Sequence, residues 1–135
     1  MNAERDLLEA CREWRRLAEA EGEAIRTGNW GLCSACQNAL QLLRDRMSAL
    51  MPVVRDEWAQ PGCDRDDRDH DARQQSLDDT LRELIGLERR NQTLLNAVRE
   101  AAHVKIKQLN QAKIKLRQLR SSYGFAHGSA WSSFS

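Results

Sequence analysis

Four cysteines, three histidines and one aspartate-rich run are the residues of this chain with the most chemistry to offer, and their spacing decides whether they can use it. Cys33-Ser34-Ala35-Cys36 has the separation of a redox motif. Such a pair becomes reactive at a strand-to-helix junction that lowers a thiolate pKa. Here it falls one turn inside an amphipathic helical pattern with no βαβ context. As a zinc site it lacks a second ligand pair at suitable spacing, because Cys63 and His70 would have to arrive from a loop. The stretch from Asp64 to Asp71 imitates a calcium loop only loosely: counted from Asp64, the sixth position is Asp69 where a turn glycine is needed, and the twelfth is Gln75 where a bidentate Glu is needed. His103 and His127 have no Ser, Cys or acidic neighbour in a general-base pattern, and no glycine-rich phosphate loop occurs. The residues therefore read as those of a non-enzyme with no metal or cofactor. The cysteines read as reduced, small apolar side chains.

What these residues do must then follow from the elements that carry them. The chain has 135 residues, enough for one domain, and its Lys+Arg 21 against Asp+Glu 20 leave a formal charge of +1. With 41% hydrophobic and 30% charged residues it is too apolar for a fully disordered chain and too charged for a membrane protein. The longest uncharged run within the patterned region, Thr27 to Leu43, still contains Asn, Gln, Ser and Gly, and nothing approaches the roughly 20 apolar residues of a bilayer span. Met1 to Asp6 lacks the basic start and apolar core of a signal peptide, so the expected location is cytoplasmic.

The periodicity is helical throughout. Leu7, Cys11, Trp14, Ala18 and Ile25, with Leu8 and Leu17 widening the stripe, predict a first helix over about residues 3–26. Gly28 can take the left-handed conformation that ends it, and Asn29 can cap the next, which gives an αα-hairpin turn. Leu32, Cys36, Leu40, Leu43, Met47 and Leu50 predict a second helix over about 30–51, antiparallel to the first. Pro52 should end or kink it, or start a short new turn carrying Val53, Val54 and Trp58. Residues 60–75, with Pro61-Gly62 and the aspartate run, read as an exposed linker. Ser76 then opens a capping-box-like Ser76-x-x-Asp79, and a third stripe runs through Leu77, Leu81, Leu84, Asn91, Leu95, Val98, Ala102, Leu109, Ala112, Leu116, Leu119 and Tyr123. This predicts a helix over about 76–120, followed by a flexible Gly/Ser tail at 125–135 with Phe125, Trp131 and Phe134.

The expected architecture is an all-α antiparallel bundle of three long helices spanning residues 1–124, with an extended C-terminal helix. The third helix is nearly twice as long as the others, so part of its stripe has no cover within the chain. An uncovered stripe of several turns implies a partner. Charge separates its two ends. From Asp64 to Glu83 there are eight acids and four arginines, whereas His103 to Arg120 holds six basic residues and no acid. The expected partner-binding residues are Leu95, Val98, Ala102, Ile106, Leu109, Ala112, Leu116, Leu119 and Tyr123, with the lysines between them attracting acidic groups. Competing occupants of the same stripe are a second copy of the chain in a homodimeric coiled coil, and nucleic acid. The basic segment has neither aromatic interleaving nor recognisable motif geometry for nucleic acid.

Two stretches resemble a known family. Glu21-Gly22-Glu23-Ala24-Ile25-Arg26-Thr27-Gly28-Asn29-Trp30, followed by Leu32 and Leu40, resembles the hairpin turn of bacterial flagellar export chaperones of the FlgN type, which the FliT type shares. Glu88-Arg89-Arg90-Asn91-Gln92-Thr93-Leu94-Leu95 resembles the start of their last long helix, which here closes with Leu119-Arg120-Ser121-Ser122-Tyr123-Gly124. The resemblance implies an all-helical cytoplasmic chaperone that holds the hook-associated proteins of the hook-filament junction before type III export. It also implies that the C-terminal part of the last helix binds the client, with the export apparatus as a further partner. The tail after Gly124 departs from the family's, and the cysteines are unusual for it.

Overall fold

Two asparagines and a glycine punctuate the first half of the chain. Asn2 caps the first helix, its side chain accepting from the Arg5 backbone N–H at 3.1 Å, and Asn29 caps the second in the same way from Leu32 at 3.2 Å. Between them Gly28 takes φ 71°, ψ 21°, the left-handed conformation in which a Cβ is strained. The computed structural model describes residues 2–60 and 67–126, with side chains described as far as residue 123 and, after the gap, from 69. Among the described residues it contains three helices and no strand: α1 (Ala3–Thr27), α2 (Trp30–Ala59) and α3 (Asp67–Ala126). The chain divides into two compact units, residues 1–95 and 96–135.

The first unit is a three-helix bundle. α1 and α2 form an antiparallel hairpin on the two-residue turn. The 69–95 part of α3 lies parallel to α1, since Arg73 bonds Glu4, Arg15 bonds Glu83 and Asn91 reaches Ala18. The core collects Leu7, Trp14, Leu40, Met47, Val54, Leu77 and Leu84 from all three helices. Leu7, Leu40 and Leu84 are almost completely enclosed, each contributing about 2 kcal/mol by burial. Arg44 ties the three helices together, stacking over the Trp14 ring and pairing with Glu88 at 2.9 Å.

The helices are longer than the sequence periodicity predicts. α2 continues through Pro52 to Ala59. The backbone bond lost at the proline is offset because Val54 is buried in the core and Trp58 donates its indole N–H to Glu4. Residues 67–75, expected as linker, are helical, and residues 61–66 with Cys63 lie outside the described residues. Here Asp67, Asp69 and Asp71 sit in the first turns, where the helix dipole favours acids. The Arg73–Glu4 pair and the edge-on Trp58–His70 contact dock the segment. Ser76 is consequently no cap: its carbonyl accepts from the Thr80 hydroxyl inside the helix. Leu8, expected to widen the buried stripe of α1, is exposed instead. Of the expected tail at 125–135, Phe125 and Ala126 continue α3 instead, and 127–135, with Trp131 and Phe134, lie outside the described residues.

Candidate partner-binding site

The second unit is built on the C-terminal part of α3. From Ala97 to Ser122 it has neither Gly nor Pro and is rich in Ala, Leu, Lys, Arg and Gln, residues that lose little on entering a helix. Every residue from 99 to 123 is exposed. The large apolar side chains among them are Val104, Ile106, Leu109, Ile114, Leu116, Leu119 and Tyr123, with Leu109 62% and Leu116 59% accessible. Most of these fall on one face. Val98, Ala102, Leu109, Ala112, Leu116, Leu119 and Tyr123 keep alternating steps of four and three, with a single step between Ala102 and Leu109 that lands on Lys105. Lys105 therefore sits within the apolar stripe. Ile106 flanks it, and Val104 and Ile114 lie off it.

Charge surrounds the stripe. Lys105, Lys107, Lys113, Lys115, Arg117 and Arg120 are exposed, and among the described residues none of the six is held in an ion pair. The first unit differs, with acids and arginines matched between helices at Arg15–Glu83, Arg44–Glu88 and Arg73–Glu4.

Of the residues expected to bind a partner, Ala102, Ile106, Leu109, Ala112, Leu116, Leu119 and Tyr123 are exposed and Val98 is half-buried. Leu95 is a correction. At 6% accessibility it is buried in the first unit and cannot meet a partner without unfolding there. Its place in the stripe is the same as that of Leu116. The period that positions both cannot say where the bundle's cover ends.

Two features of the first unit escaped the sequence. Asn91, only 2% exposed, donates from Nδ2 to the Ala18 carbonyl at 2.6 Å and to Glu21 Oε1 at 3.0 Å, while its Oδ1 lies over Gly22 without a hydrogen-bond partner. An Asn in an apolar stripe was the available signal. At the other end Glu4 accepts from both Trp58 and Arg73, beside a hollow of about 120 Å³ lined also by Leu7, Leu8 and Leu77. No period marks that cluster, because its members come from three helices.

Cys11 and Cys36 have little to offer as nucleophiles. Cys11, Cys33 and Cys36 are buried and free of disulfides. Burial pushes the Cys11 thiol pKa up against the opposing pull of Arg15. It does the same for Cys36, with the Glu21 charge adding and Arg16 opposing. A raised thiol pKa leaves less thiolate, the reactive form. Among the described residues no three His, Cys, Asp or Glu side chains gather as a metal site would require. No helix of the described residues is long and apolar enough to cross a membrane. No protein-family model, curated protein or solved structure matches the chain.

Proposed function

We propose that this chain is a holding protein, a cytoplasmic export chaperone of the flagellar type III kind, that takes a terminal segment of a hook-associated protein as an amphipathic helix on residues 98–123. The observation that carries this reading is the row of exposed large apolar residues between Ile106 and Tyr123 on an otherwise polar helix. The hairpin turn at Gly28-Asn29 and the Asn91-to-Leu95 stretch supply the family resemblance.

Magnitudes fit holding rather than permanent assembly. Leu109, Leu116, Leu119 and Tyr123 are each a little over half exposed, so covering one contributes about 1 kcal/mol. Folding a disordered client onto them costs about 2–5 kcal/mol. Apolar contact alone therefore gives weak, reversible binding, as a protein that must release its client requires.

Leu109→Asp and Leu116→Asp test the reading. Co-purification with the terminal segments of hook-associated proteins should be lost in both variants, while circular dichroism retains the helical signal and the melting of the first unit. Retained binding would remove the proposal. A broad loss of helix would show the stripe to be internal core.

A further inference from the structure

Resting on the reading above, we infer the chemical class of the bound segment: an acidic amphipathic helix that sets a carboxylate opposite Lys105. Two observations converge on it. The six cations between His103 and Arg120 are exposed, with no acid among them in sequence, and among the described residues none is neutralised by an ion pair. A partner bearing acids at the edges of its apolar stripe gains from those that lie in or beside the stripe.

Lys105 is the second observation. It occupies the position in the four-three series where Ala102 and Leu109 predict an apolar side chain. A partner with leucines throughout its seam would have to bury that ammonium unpaired, whereas one seam carboxylate satisfies it and fixes the register of the two helices. The first unit already uses this device, since Glu88, at a stripe position of α3, is met by Arg44 of α2.

The same features weigh against the other occupants. Two copies joined along this stripe would bring the cations in and beside it together with their like-charged counterparts. A helix lying in a membrane surface keeps its cations on the polar face and its stripe free of charge, with Trp or Phe as anchors. Residues 98–123 contain neither Trp nor Phe, and Lys105 lies inside the stripe.

The test uses the full-length chain and synthetic helical peptides of about four heptads, labelled for fluorescence anisotropy. One probe has Leu along its seam with a single central Glu, and Glu flanking the seam. The second has the same flanks and an all-Leu seam. The third keeps the seam Glu but has Gln flanks. The first probe should bind about tenfold tighter than the third, with the advantage shrinking as salt rises. Lys105→Leu should reverse the preference between the first and second probes, whereas Lys107→Leu, on the opposite side of the helix, should leave it unchanged. Equal affinity for acidic and Gln-flanked probes would overturn the inference while leaving the holding function standing. An unreversed preference in Lys105→Leu would overturn the register assignment. If no peptide binds, and light scattering gives a dimer that Leu116→Asp dissociates, or the chain binds phosphatidylserine vesicles instead, both the inference and the holding function fall.

Discussion

Gly22→Ala should destabilise the first unit, although the same change in a helix interior ordinarily adds about 0.5–1 kcal/mol by reducing the freedom of the unfolded chain. A Cβ at Gly22 would lie 2.8 Å from Asn91 Oδ1, closer than such atoms approach. Asn91 cannot swing aside cheaply. It is buried, and its amide is held by the Ala18 carbonyl and the buried Glu21 carboxylate, the second of which loses that donor when it moves. A buried acceptor left unpaired costs about 1–3 kcal/mol, so the expected balance is a net loss of about 1–2 kcal/mol. Gly86 is the internal control: it is exposed in α3 and a Cβ there would meet nothing within 4 Å. Gly86→Ala should raise stability by about 0.5–1 kcal/mol, a gain of a few degrees in melting temperature for a unit of this size. Urea titration followed by circular dichroism reads both. Removing the obstruction provides the decisive comparison, because in an Asn91→Ala background Gly22→Ala should become stabilising. If Gly22→Ala stabilises the native chain as much as Gly86→Ala does, the close packing of Asn91 on Gly22 does not hold the first and third helices together and the argument fails.

Leu84→Ala should cost about 2–5 kcal/mol and Leu109→Ala no more than about 0.5 kcal/mol in the same denaturation assay, since the first side chain is fully enclosed and the second is 62% accessible. Asn91→Asp should destabilise more than Asn91→Ala, because it places a carboxylate against the Ala18 carbonyl and the Glu21 carboxylate. Stability should fall as pH rises above about 8.5, the pKa of a free thiol, because the folded chain holds the Cys11 and Cys36 protons after the unfolded chain has released them; the fall should be shallower in Cys11→Ala/Cys36→Ala, and equal slopes would refute it. Arg44→Lys should lose most of the stability lost in Arg44→Ala, because an ammonium cannot both stack over Trp14 and present a fork to Glu88.

The elements most legible in the sequence are those decided by neighbouring residues. Gly28 and Asn29 announce their turn because the left-handed glycine and the capping amide act within a few residues. The buried stripe of α1 follows from its own spacing, apart from Leu8. The segment 67–75 was illegible for the opposite reason. It has no apolar period, and the contacts that dock it, Arg73 with Glu4 and His70 with Trp58, join residues more than ten positions apart in sequence. Pro52 misleads similarly, since a local penalty is outweighed by the distant partners of Val54 and Trp58.

At the candidate site, the stripe was legible and its limit was not. One spacing runs from Leu77 to Tyr123, yet Leu77, Leu84 and Leu95 are buried whereas Leu109, Leu116 and Leu119 are exposed. Periodicity fixes which side of a helix is apolar and is silent about what meets it. The charged residues inside the stripe carry the missing information. Glu88 has its counterion in Arg44 of the same chain, which marks the buried portion as internal packing. Lys105 has no ion-pair partner among the described residues, and the five further cations of its segment share that condition. The presence or absence of a counterion at the seam charge thus separates the portion of α3 that completes its own bundle from the portion proposed to take an acidic partner. Lys105→Glu tests that distinction: it should weaken the acidic probe and strengthen one with Lys at the facing position, while leaving the melting of the first unit unchanged.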